Sequence, residues 1–184
     1  ARGRLFRTPA CDVPGETLAV GHRILTLDEG AQRIIWTGHR MLLFPQGDDL
    51  PVRVAPDAFG PGQPYAPTSI SPRHCLLQRH PGLQILFDTT QVLAAARDCG
   101  DGINIRQADA TRAVEYYHFM VDGHALVWAN GMLTETFYPG PVARRSLDPM
   151  AHSRLVALYP TLKDPTAPAP FPRARRRVRG HELR

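Results

Sequence analysis

The chain has 184 residues and a formal net charge of +5, from 22 basic and 17 acidic residues. Six arginines and one acid fall in the last twelve residues, which leaves 16 of each sign elsewhere and argues against a nucleic-acid module with a basic folded face. The length suits one domain, and no run approaches the roughly 18 apolar residues of a membrane helix.

In chain order, Pro and Gly punctuate short apolar runs, and the runs predict strands over 22–27, 33–37, 50–54, 75–78, 84–87, 114–121 and 125–129. Their Ile, Val, Leu, Trp and Tyr suit a pleated, half-buried surface. Many short strands at turn-like spacing predict an all-β domain. Asp28-Glu29-Gly30 predicts a hairpin between 24–27 and 33–36. Asp122-Gly123 predicts another between 114–121 and 125–129. The segment 56–67 is a proline-stiffened loop. A helix is expected over 90–97, opened by a Thr cap, in a stretch of strong helix formers. A second is expected over 148–158, with Pro149 at its first position and an apolar stripe of Met150, Leu155, Val156 and Leu158. A proline-rich linker and the arginine run follow.

The three cysteines, Cys11, Cys75 and Cys99, are widely spaced and form no Cys-x-x-Cys pair. That argues against a disulfide framework or a cysteine-rich zinc site. The six-residue separations of His74 from His80 and of His118 from His124 are not a usual ligand spacing. No metal or cofactor is implied, and the sequence assigns no compartment. A chain opening Ala1-Arg2-Gly3, without a signal pattern, reads as a fragment or a processed piece.

Several segments carry a resemblance. The opening 1–9 leads to Leu18-Ala19-Val20-Gly21-His22-Arg23-Ile24-Leu25-Thr26, and then Arg33-Ile34-Ile35-Trp36-Thr37-Gly38-His39-Arg40 follows. The central motif is Ile70-Ser71-Pro72-Arg73-His74-Cys75-Leu76-Leu77. The late block runs Tyr116-Tyr117-His118-Phe119-Met120-Val121-Asp122-Gly123-His124 and continues to Ala129-Asn130-Gly131. In order and spacing, these resemble the Hint family, the Hedgehog/intein autoprocessing fold, and more closely its bacterial members outside true inteins. The likeness covers roughly residues 1–140. His22 stands where the family's first turn usually carries aspartate, and Ser71 where its Thr-x-x-His block carries threonine.

The resemblance implies a chemistry. A Cys or Ser attacks the carbonyl of the preceding peptide bond and makes an ester-type intermediate. A histidine polarises the scissile amide and protonates the leaving amine, which couples general-acid to covalent catalysis. Carried over, His74 is the acid, Ser71 the orienting hydroxyl and His118 an auxiliary group. The family pattern puts the nucleophile two residues before Ala1, so either the chain starts just after it or its lineage has lost it, and Cys11 is a poor substitute. The intein's late histidine falls at Ala125, one residue from His124, and its terminal His-Asn pair at Glu135-Thr136. Without that asparagine, splicing is not expected.

Without the family pattern, the same residues read more plainly. His74 is then a turn histidine bonded to backbone, Ser71 an ordinary residue before proline, and His118 a satisfied strand histidine. His124 is expected to be structural or solvent-facing. Cys75 is either a small buried hydrophobe or, beside His74, a reactive thiol. The arginine tail reads as a solvated terminus.

The expected architecture is therefore a mostly-β Hint-type horseshoe of short antiparallel strands over 1–140. A helical extension over 141–163 and a flexible basic tail over 164–184 follow it. The expected function is self-cleavage at the N-terminal junction, with the upstream segment of the same polypeptide as partner. The alternative is a catalytically silent Hint-like module with a structural or interaction role. A third reading, a nucleic-acid-associated protein recruited by the tail, lacks interleaved aromatics.

Overall fold

The computed structural model describes residues 1–183. The first half of the chain builds β1 (Leu5–Arg7), β2 (Asp12–Pro14), β3 (Arg23–Thr26), β4 (Gly30–Arg33), β5 (Trp36–Leu43), β6 (Val52–Val54), β7 (Thr68–Ile70) and β8 (Cys75–Arg79). Then come α1 (Leu83–Phe87), β9 (Gln91–Ala95), β10 (Ile105–Gln107), β11 (Ala113–Met120), β12 (Leu126–Ala129) and β13 (Met132–Glu135). The last part holds α2 (Pro141–Arg144), α3 (Pro149–Leu158) and β14 (Arg177–Val178). No helix among the described residues is long and apolar enough to cross a membrane.

The fold is mostly β, as the sequence predicts. A nine-stranded sheet runs β14-β9-β8-β13-β12-β1-β2, with β3 paired to β12 and β4 to β3. Strands β10-β6-β7 form a second sheet and β11-β5 a two-stranded ribbon. One core cluster joins Phe6, Ile24, Ile34, Phe119 and Val127; another joins Val52, Ile70, Leu76 and Met132. Asn130 ties β1 of the large sheet to β7 of the second. At φ +50 it accepts from Leu5 N through Oδ1 and donates from Nδ2 to Thr68 Oγ1.

The first hairpin forms, with Thr26 opposite Gly30 and Arg23 opposite Arg33, but its second arm is β4 and shares only Arg33 with the expected 33–36. Trp36 is not part of it. It opens β5, and its indole N–H donates to the Ala151 carbonyl of α3 at 3.0 Å. The second expected hairpin does not form. β11 pairs with β5, from Met120 opposite Trp36 to Ala113 opposite Leu43. β12 pairs with β13, β1 and β3. Asp122-Gly123 turns the chain, but the turn passes it from the ribbon to the main sheet.

Two element types are exchanged. The expected helix over 90–97 is mostly β9. Val92, Leu93, Ala94 and Ala95 are fully buried between β8 and β14, so pairing on both edges overrides propensity. The expected strand over 84–87 lies in α1, which ends on Asp88 in the left-handed region and leaves Ile85 and Leu86 exposed. α3 forms as expected, capped by Asp148 accepting from Ala151 N. Its buried residues are Ala151 and Leu155, whereas Met150 and Leu158 face outward, so the expected stripe is shifted.

The basic tail is not a flexible extension. β14 pairs in parallel with β9, and Val178 is buried with Leu83, Val92 and Ala94. Arg175 forks onto Asp28 at 2.6 and 3.0 Å, and Arg176 lies over the Phe87 ring. The reason is specific pairing. An arginine run looks solvated from sequence, but Arg173, Arg175 and Arg176 meet carboxylates, an amide or rings of the body.

Candidate functional site

The site starts at the turn before β8. Ser71 C=O accepts from His74 N at 3.1 Å, and the half-buried Ser71 hydroxyl has no hydrogen-bond partner among the described residues. The strand alternation then sends Cys75 into the core beside Leu93, Leu126 and Leu133. The His74 ring turns the other way, and its Nε2 lies 2.5 Å from Thr134 Oγ1. Thr134 stands on β13 in register with Leu76, fully buried, and donates its hydroxyl to the Cys75 carbonyl at 3.2 Å. With its one hydrogen so placed, Thr134 accepts from Nε2–H of His74. Nδ1 is then the ring's free lone pair.

Next to Thr134, Glu135 is a buried carboxylate with three donors. Oε1 accepts from Cys75 N at 2.9 Å. Oε2 meets His124 Nε2 and Arg173 Nη1, each at 3.0 Å. The other nitrogen of His124, Nδ1, accepts from Ala174 N at 2.9 Å. An acceptor Nδ1 leaves the hydrogen on Nε2, so His124 donates to Glu135. Burial alone would raise the Glu135 pKa, but the bond from His124 and the nearby His74, His124 and Arg173 carry it down to about 2. The carboxylate therefore stays ionised.

β11 supplies the opposite wall. Tyr116 and His118 are two residues apart on one face of the strand. His118 faces Gly38 across the ribbon, and its ring sits 5.3 Å from that of Phe137. Enclosure by protein lowers the pKa of both His74 and His118 to about 3. The Glu135 charge opposes the shift at His74, and the neighbouring His74 and Arg4 deepen it at His118. Both rings are neutral near pH 7. The start of the chain lies alongside, with Ala1 N donating to Ser69 O at 3.0 Å and Ala1 O accepting from Arg4 Nε.

These groups open onto one cavity of about 530 Å³, lined among others by Ser71, His74, Tyr116, His118, Glu135 and Arg173. Ser71, His74 and His118, the three site residues expected from sequence, thus share it. Three other residues that motif reading did not assign as site residues line it too, Glu135, Tyr116 and Arg173, and Thr134 holds the His74 ring from within the fold. Tyr116 opens the late block and Glu135 falls where an intein carries its terminal histidine; Thr134 and Arg173 left no signal.

The remaining expectations resolve simply. His124 is structural and its side chain is fully enclosed. Cys11 is exposed at the turn joining β1 and β2. Cys75 is a buried hydrophobe whose thiol pKa is raised by burial and by Glu135. His22, in the aspartate position, keeps the turn by accepting from Ala19 N through Nδ1. Among the described residues no group of three or more His, Cys, Asp or Glu is placed to hold a metal.

Three comparisons bear on this arrangement. Among curated proteins, none matches the chain. Similar solved structures include a variant of the MchDnaB-1 intein, 16% identical, and the MchDnaB-1 intein itself, 17% identical. The alignments cover 72% and 73% of this chain and 94% and 96% of those chains, with TM-scores of 0.44 and 0.43. The family model described as "Hint domain" matches residues 1–141, a span that contains the turn, both histidines and Glu135. With most of its length inside that match, the chain belongs to the Hint domain family.

Proposed function

We propose that this domain cleaves the peptide bond at its own N-terminal junction and does not splice. A cysteine or serine two residues before Ala1 adds to the carbonyl before it. The carbon–sulfur or carbon–oxygen bond forms first, and the carbon–nitrogen bond breaks as the tetrahedral adduct collapses. The proton of the nucleophile passes through Nδ1 of neutral His74 to the leaving amine nitrogen. Water then opens the ester, leaving a carboxylate on the upstream segment and restoring the nucleophile.

The observation that carries this reading is the His74 ring. It is neutral, fixed at Nε2 by Thr134, free at Nδ1, and in one cavity with Ser71 and His118. Ser71 has its hydroxyl available to orient the amide, and His118 sits across from His74 as a second neutral imidazole. The absence of splicing rests on Glu135 and Thr136. Glu135 is engaged by three donors and Thr136 Oγ1 accepts from Ala125 N, and neither side chain has an amide to cyclise.

The test is a precursor carrying the native upstream segment, incubated with and without thiol. Release of the upstream segment that is lost in His74→Ala supports the reading. An intact parent precursor sinks it, in favour of a silent structural module.

A further inference from the structure

Arg4 and Tyr116 each bury a polar atom that nothing in the described fold satisfies. Arg4 is 5% exposed and Tyr116 is 3% exposed. Nη1 of Arg4 and the hydroxyl of Tyr116 have no hydrogen-bond partner among the described residues. Leaving a buried donor unpaired costs roughly 1–3 kcal/mol, more for a charged group. Two such atoms in one neighbourhood call for an account.

Their position supplies one. Arg4 Nε donates to the Ala1 carbonyl at 3.2 Å, and the guanidinium lies 5.4 Å from the Phe6 ring centroid. The guanidinium is thereby held at the first residue. Glu16, whose charge reaches it, instead accepts from Gly3 N and pairs with Arg2. Tyr116 lines the cavity beside His118 and lies within electrostatic reach of Arg4. The Arg4 charge also reaches both histidines of the site. Burial brings the Arg4 pKa down to about 10 and takes that of Tyr116 up to about 12. Near pH 7 Arg4 keeps its charge and Tyr116 its hydrogen, so both are donors.

We propose that Arg4 and Tyr116 form the oxyanion site of the junction reaction. This rests on the processing reading above. When the nucleophile adds to the scissile carbonyl, the carbon–oxygen π pair moves onto oxygen. Nη1–H of Arg4 and the Tyr116 hydroxyl donate to that oxygen. When the pair returns, the carbon–nitrogen bond breaks and the amine leaves with the proton carried by His74. A fixed cation and a fixed hydroxyl, both buried, favour the charged state over the neutral amide.

The experiment measures first-order cleavage of the native precursor at pH 7 for the parent, Tyr116→Phe, Arg4→Met, Arg4→Lys and His74→Ala. Thermal unfolding of each variant checks the fold. Loss of one oxyanion donor slows such reactions by about 10²–10³-fold. Arg4→Met is expected in that range, Tyr116→Phe at tenfold or more, and Arg4→Lys between Arg4→Met and the parent. If Arg4→Met does not fold, Tyr116→Phe and Arg4→Lys carry the test. Folded Arg4 and Tyr116 variants that cleave within threefold of the parent, while His74→Ala does not cleave, overturn the oxyanion site alone. A parent that does not cleave overturns the processing reading and this one with it.

Discussion

Arg173 donates to Oε2 of Glu135 at 3.0 Å across 38 positions of sequence. The same guanidinium lies 3.7 Å over the Tyr138 ring. This contact joins the basic C-terminal segment, outside the Hint match, to a carboxylate bonded to the amide next to His74. The segment is a strap that closes one side of the site cavity.

Deleting residues 173–184 is therefore expected to destabilise the domain. It removes the Arg173 partner of Glu135, the Ala174 amide from His124 and the buried Val178. Burying one valine is worth about 1.5–3 kcal/mol, and the lost polar partners add to that. A loss of about 3 kcal/mol lowers Tm by roughly 6–12 °C in a chain of this size. Calorimetry that finds the truncated and full chains melting together would contradict the strap.

Glu135→Ala strands three donors at once: Cys75 N, His124 Nε2 and Arg173 Nη1. Breaking a buried charge pair from one side costs about 3–5 kcal/mol. Urea unfolding should show that loss for Glu135→Ala and a smaller one for Glu135→Gln, which keeps an acceptor oxygen. Equal midpoints for Glu135→Ala and the parent would mean that the network carries no stability.

Acid should weaken the fold early. His74 and His118 have folded pKa values of about 3, below the ordinary 6.5 that they regain on unfolding. Between those values the unfolded chain binds more protons, so stability rises with pH across the window and is fully present above it. Glu135, lowered to about 2 from 4.5, contributes above 4.5 and loses its contribution as pH falls toward 2. Urea midpoints measured from pH 4 to pH 7 should climb with pH, and His118→Phe should flatten the slope. A flat profile for the parent would show that both histidines protonate freely in the folded protein.

The thiols should separate in reactivity. Cys11 is exposed, Cys75 is buried, and Cys99 is half-buried with its pKa raised by burial to about 12. In native protein, a thiol reagent should label Cys11 first and Cys75 only on unfolding. Fast labelling of Cys75 in the folded Cys11→Ser variant would revive a reactive thiol beside His74.

The sequence was informative where chemistry and turn geometry are local. The β3–β4 turn, the Pro149 start of α3 and the Ser71–His74 turn all lie within a few residues, and each forms close to where spacing puts it. Elements defined by distant partners were not legible. Gln91–Ala95 has helix-forming residues but lies between two strands, one of them from the tail. Asp122-Gly123 is a strong turn signal that says nothing about which strands it joins. The tail arginines look solvated because their partners, Glu135, Asp28 and Phe87, come from elsewhere in the chain. For the same reason the site was half visible. Ser71, His74 and His118 sit in motifs, whereas Thr134, Glu135 and Arg173 acquire their roles only through the fold.

The most direct measurement is the chemical state of the upstream segment when the native precursor is treated with hydroxylamine. An ester-type intermediate predicts a hydroxamate on the residue before the nucleophile, seen by mass spectrometry, together with a released domain. In His74→Ala neither product should form. A precursor that stays whole in hydroxylamine, or one that is cut at another bond, would contradict self-cleavage at the N-terminal junction.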